Sequence, residues 1–146
     1  MCDSNDLLKM LSQFLITDDL RLILNDVDAL PKVDHETGHK ILCGHREIVG
    51  DEGDDYVAPE QRWPFGDKLE FDEELQPKYD EKIDVWKIPA TCEYLMGEVD
   101  GADHAKFHLF DINKEAKKED PALRPNVGEV LSIYHAVCEH LEIACY

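Results

Sequence analysis

Residues 47–81 set the tightest limit on how this chain can fold, because they join three properties that seldom share one element. Thirteen carboxylates (Glu47, Asp51, Glu52, Asp54, Asp55, Glu60, Asp67, Glu70, Asp72, Glu73, Glu74, Asp80 and Glu81) stand against three basic residues, Arg62, Lys68 and Lys78. Gly50, Gly53, Pro59, Pro64, Gly66 and Pro77 interrupt the stretch, and Tyr56, Trp63, Phe65, Phe71 and Tyr79 run through it. The breakers exclude a long helix. The aromatics exclude a purely solvating tail, since such side chains need apolar surroundings. The expectation is a folded acidic surface made of loops, with one short helical turn near 72–75.

The rest of the chain must supply the core. At 146 residues it is long enough for one domain, read as 1–146, and too short for two ordinary ones. A net charge of −18 repels nucleic acid and anionic membranes and speeds encounter with basic proteins, so direct DNA or RNA binding is disfavoured. No N-terminal stretch has the order of a signal peptide, and no apolar run approaches the roughly 20 residues of a membrane span. A cytoplasmic protein is the expectation. Cys2, Cys43, Cys92, Cys138 and Cys145 are odd in number and lack framework spacing, which reads as reduced thiols.

Hydrophobic spacing gives the elements. Residues 4–15 read as a helix capped by Ser4, with Leu7, Leu8, Leu11, Phe14 and Leu15 on one face. Thr17 reads as the cap of a second helix carrying Leu20, Ile23, Leu24 and Val27 and closed by Pro31, which makes a helical hairpin. A β-hairpin turning at Thr37-Gly38 follows, with a further strand over 45–49. Residues 83–88 read as a strand ended by Pro89, residues 91–99 are ambiguous between helix and strand, and 106–112 alternate as a strand would. Asn126 followed by Glu129 signals a capping box, and Val127, Val130, Leu131, Tyr134, Val137, Cys138 and Leu141 trace one face of a helix over 127–145. The predicted fold is therefore α+β: an N-terminal helical hairpin, a central, mostly antiparallel sheet of three to five strands, and a long C-terminal helix packed on the sheet.

Two groups of residues could carry metal chemistry. His35-Glu36-Thr37-Gly38-His39 satisfies H-E-x-x-H, with His45 six residues beyond the second histidine. On a helix two such histidines bind zinc and leave Glu36 to activate water. The spacing is similar to that of the metzincin metalloproteases, and the resemblance implies zinc-dependent peptide hydrolysis by His35, His39, His45 and Glu36. It covers eleven residues, and Leu42 replaces the family's glycine. A second set comprises Cys43 and His45, two apart on one strand face, and His135 and Cys138, three apart on one helix face. His104 and His108 add little where they fall at the start of a strand.

The reading that these observations favour is an acidic, inhibitor-type binding protein without bound cofactor. It would dock on the basic surface of another protein, a nucleic-acid-processing enzyme whose substrate it imitates, in the manner of an antidefence or immunity protein. The binding residues would be Asp51, Glu52, Asp54, Asp55, Glu60, Trp63, Asp67, Glu70, Asp72, Glu73 and Glu74. The alternatives are a zinc-dependent hydrolase built on residues 35–45 and a scaffold subunit of a larger assembly.

Overall fold

The structure, a computed structural model, describes residues 6–19, 21–26, 30, 32–34, 36 and 55–143. It divides into two compact units, 1–83 and 84–146.

The first unit departs from the expected helical hairpin. Helix α1 is only Leu7–Leu11, and its cap is Asp6, whose carboxylate accepts from the Lys9 backbone N–H at 2.7 Å. The helix stops because the Ser12 hydroxyl donates back to the Lys9 carbonyl at 2.7 Å, using an acceptor that another turn would need. Strands β1 (Phe14–Ile16) and β2 (Leu22–Leu24) then pair antiparallel, Phe14 opposite Leu24 and Ile16 opposite Leu22. Thr17 caps no helix; its N–H bonds the Arg21 carbonyl at 2.9 Å and its hydroxyl accepts from the Arg21 N–H at 3.0 Å, closing the hairpin turn. The sequence mistook this hairpin for a helix because leucine and isoleucine at 22–24 serve either period over so short a run. Most of the second hairpin, expected near Thr37-Gly38, and the strand at 45–49 lie outside the described residues.

Residues 55–80 form an ordered, self-bonded coil. Two single 3₁₀ turns, Pro59–Gln61 and Gly66–Lys68, are its helical content. Tyr56, Val57, Ala58, Trp63 and Tyr79 are buried, so the aromatics supply a core to a stretch whose charges point outward.

The second unit is helical. Helix α2 is Lys82–Met96, α3 is Ala102–Ala116 and α4 is Val127–His140, with α2 entering from the first unit. Val85, Leu109, Ile112, Ala116 and Val130 form its core, with Ile88, Met96, Tyr134 and Val137 packed against them. Gly97 ends α2 in the left-handed conformation at φ +52°, where a side chain would be strained. Lys106 of α3 donates to the Gly97 carbonyl at 3.1 Å. Arg124, 3% exposed, donates to the Lys118 and Glu119 carbonyls at 2.7 and 3.1 Å. Lys117 and Arg124 both lie over the Trp86 ring, at 4.5 and 4.9 Å.

This overturns the expected α+β architecture. Among the described residues the sheet has two strands, not three to five, and the fold is mainly helical. Both stretches read as strands in this half are helical: 83–88 lies in α2 and 106–112 in α3. In α2, Val85, Trp86 and Lys87 are successively buried, so there is no polar face to reveal a 3.6-residue period. Pro89 does not end it; the helix continues through it to Met96, and the Thr91 hydroxyl bonds the Lys87 carbonyl at 2.9 Å. In α3, Leu109, Ile112 and Ala116 point inward at helical spacing, but Phe107 and Phe110 are exposed and filled in a false alternation. The long C-terminal helix is present, shorter than expected, and among the described residues of its unit there is no sheet for it to cover.

Candidate functional site

The feature of the first unit best placed for chemistry is the open end of the β1–β2 hairpin. The Gln13 carbonyl, immediately before β1, accepts from the Asn25 N–H at 2.8 Å and from the Asp26 N–H at 3.4 Å, just beyond β2. These bonds continue the ladder past the strands and hold Gln13 and Asp26 side by side at one rim. The Gln13 side-chain nitrogen donates to the Lys9 carbonyl at 3.3 Å, which turns its amide oxygen into the remaining acceptor. An amide oxygen and an exposed carboxylate on adjoining strand ends are hard oxygen donors of the kind that Mg²⁺ takes.

Above the acidic coil's surface the residues are less available than the sequence implied. Trp63 is 7% exposed; its indole N–H donates to the Leu69 carbonyl at 3.0 Å and its ring meets Phe65 and Phe71 edge-on at 4.9 and 5.2 Å. It belongs to the core of the coil. Gln76 reaches across the coil to the Glu60 and Arg62 carbonyls at 3.4 and 3.3 Å, and Arg62 donates to the Val57 carbonyl at 3.1 Å. Glu60 is half-buried in the Pro59–Gln61 turn; Asp55, Asp67, Glu70, Asp72, Glu73 and Glu74 are exposed. Asp51, Glu52 and Asp54 lie outside the described residues.

The metal candidates from the sequence do not come together. His35, His39, Cys43 and His45 lie outside the described residues. His135 is exposed on α4, and Cys138 is disulfide-bonded, so it offers no thiolate; this also corrects the reading of all five cysteines as reduced. Cys92 is the free cysteine of the described residues. Burial pushes its thiol up from the ordinary value, only partly offset by a hydrogen bond with Tyr134. Burial likewise pushes the Tyr134 phenol up, helped by Cys92, while its hydroxyl donates to the Asn113 side-chain oxygen at 2.9 Å. The surroundings of Cys92 therefore favour its neutral thiol over the thiolate.

Against known proteins the chain resembles kinases. Protein O-mannose kinase of Gallus gallus is 52% identical over 137 residues, which are 94% of this chain and 38% of that relative. The protein of the same name from Homo sapiens is 49% identical over 144 residues, 99% of this chain and 40% of the relative, and that of Xenopus laevis is 52% identical over 137 residues. The chain thus spans about 40% of the length of the curated relatives it matches. No protein-family model matches it.

These relatives are enzymes, and they overturn the reading as an acidic inhibitor, nucleic-acid mimic or antidefence protein. Acidity misled because carboxylates over a buried aromatic core have the same composition as carboxylates around interface aromatics. One tripeptide went unread in the sequence: Ala58-Pro59-Glu60 spells A-P-E, which the protein-kinase signature set also contains. The tripeptide A-P-E enters the Pro59–Gln61 turn, with Ala58 fully buried and Pro59 and Glu60 half-buried.

Proposed function

We propose that this chain forms part of a protein O-mannose kinase, an enzyme that transfers a phosphoryl group to a mannose carried on a protein. The observation that supports this best is the pairing of Gln13 and Asp26 at one rim of the β1–β2 hairpin. In protein kinases the ions that bridge the nucleotide phosphates are held by the Asp of D-F-G and by an Asn of the preceding catalytic loop. Asp26 corresponds to the first of these and Gln13, an amide one methylene longer than asparagine, to the second. Where this chain departs from the common pattern, Val27 and Asp28 stand for Phe and Gly.

On this reading Asp26 and Gln13 would hold Mg²⁺, which supplies charge neutralisation for the transferred phosphoryl group. The chain's own contribution is position. The hairpin ladder fixes the two donors, and the Thr17–Arg21 turn fixes the hairpin. The Ala58-Pro59-Glu60 turn, pinned by Gln61, Arg62 and Gln76, gives the segment beyond the hairpin a rigid anchor. The disulfide at Cys138 favours an oxidising compartment over the cytosol.

The test is a chimera in which this chain replaces the matching segment of the human relative, assayed with a nucleoside triphosphate and an O-mannosylated peptide. The chimera should phosphorylate mannose, and Asp26→Asn in it should cut turnover by about 10²-fold or more with the fold intact. An active Asp26→Asn chimera would remove Asp26 from the site, and an inactive parent chimera that folds would count against the kinase reading as a whole.

A further inference from the structure

Helix α3 buries one side and leaves the other uncovered. Leu109, Ile112 and Ala116 face the core of the second unit, whereas Asp103, Phe107, Phe110 and Lys114 are exposed. The two phenylalanines are 75% and 62% exposed, and among the described residues no large apolar side chain is more exposed than Phe107. The four residues follow one another at intervals of four, three and four, the spacing that keeps one seam of a helix turned toward a single neighbour. Two neighbouring aromatics on such a seam form a patch, unlike the single apolar residues scattered over any protein surface.

The order of the four residues says what covers them. Along the helix the seam runs acid, aromatic, aromatic, base. Laid antiparallel on a second copy of itself, with the two-fold axis between residues 108 and 109, Phe107 of each copy opposes Phe110 of the other, and Asp103 of each opposes Lys114 of the other. Every contact is then made twice, so two aromatic pairs are flanked by two ion pairs. A parallel arrangement would set Asp103 on Asp103 and Lys114 on Lys114, so the charges choose the direction. Charge also selects this face over others. Within Ala102–Ala116 the acids Asp103, Asp111 and Glu115 stand against Lys106 and Lys114, which leaves a net charge of −1 on the helix in a chain of −18. Two copies repel over most of their surface, and at α3 that repulsion is small.

We propose that the outward face of α3 is a homodimer interface, in which Asp103, Phe107, Phe110 and Lys114 of two copies pack as an antiparallel helix pair. Helices in such a contact lie about 8–10 Å apart, close enough for the rings to interleave and the flanking charges to meet. An aromatic side chain buries at most about 150–250 Å², so four phenylalanines cover several hundred Å², less than the roughly 1,200 Å² at which stable interfaces begin. The dimer is therefore weak and reversible, with a dissociation constant in the micromolar range. The inference does not rest on the kinase reading, since none of the four residues lies in the hairpin or in the Ala58-Pro59-Glu60 turn.

Sedimentation equilibrium of the full chain over about 2 to 200 μM tests this. The chain should pass from monomer to dimer across that range and back on dilution, which separates this dimer from a disulfide-linked one. F107S/F110S alters exposed side chains only, so it should keep the unfolding midpoint and remain monomeric. Asp103→Lys and Lys114→Asp each set like charges opposite one another and should each weaken association roughly tenfold or more, whereas D103K/K114D restores both ion pairs and should dimerise as the parent does. An equimolar mixture of the two single variants should form the mixed dimer in preference to either homodimer, because every facing pair is then of opposite sign. A parent chain that is monomeric throughout, a dimer that survives F107S/F110S, single variants that associate as the parent does, or a D103K/K114D chain that does not dimerise overturns the proposal. Binding of a monomeric parent to phosphatidylcholine vesicles, lost in F107S/F110S, would overturn it too and assign the face to a lipid surface.

Discussion

Tyr134 and Cys92 show how one buried pair gives the chain a pH dependence. Both groups are neutral when protonated, and in the folded chain both are pushed above their ordinary values of 10.0 and 9.0. Above pH 9.0 the unfolded chain therefore sheds protons that the native chain keeps. The stability they contribute is whole below that pH and falls as pH rises through the alkaline range. Urea midpoints measured at pH 8 and pH 10.5 should differ, with the alkaline one lower, and Tyr134→Phe should narrow the gap while costing about 1 kcal/mol at pH 8 for the lost bond to Asn113. Equal midpoints at the two pH values would exclude the pair as the cause. Neither residue could be paired from the sequence, because Cys92 and Tyr134 meet only through the packing of α2 and α4. The two hairpin residues are different: Gln13 and Asp26 flank a short run in which both strands are local, so a correct reading of the turn would have found them.

At the scale of elements, α4 is the part most fully dictated by local chemistry. The Asn126 side chain accepts from the Glu129 N–H at 2.9 Å while the Glu129 carboxylate accepts from the Asn126 N–H at 2.7 Å, the reciprocal box that four residues of sequence announce. Asn126→Ala should destabilise the chain by about 1 kcal/mol in chemical denaturation and Asn126→Asp by little, since aspartate caps as well. An alanine variant of unchanged stability would show that packing of Val130 alone holds the helix start. Helices α2 and α3 were illegible for opposite reasons. α2 is buried on successive positions and shows no polar stripe, whereas α3 exposes two phenylalanines that its sequence gives every reason to bury. In both cases the burial that would identify the element comes from neighbours distant in sequence.

For the whole molecule, the disulfide at Cys138 and the charge act on the unfolded state as much as on the folded one. A covalent link restricts the unfolded chain, so reduction should lower stability by about 2–4 kcal/mol. Thermal unfolding with and without a phosphine reductant checks this, and a midpoint that does not move would make the link dispensable. Charge misled at this scale, because a net −18 constrains what the surface repels and says nothing of what the interior does. By itself the sequence determined the terminal helix and its cap, the breakers that keep residues 55–80 from forming a helix, and the presence of A-P-E, all of which depend on neighbours within a few residues. Tertiary structure alone decided that Trp63 is core, that α2 and α3 are helices, and that Phe107 and Phe110 are exposed. Those outcomes depend on which surfaces other elements cover, and burial of that kind has no local signature.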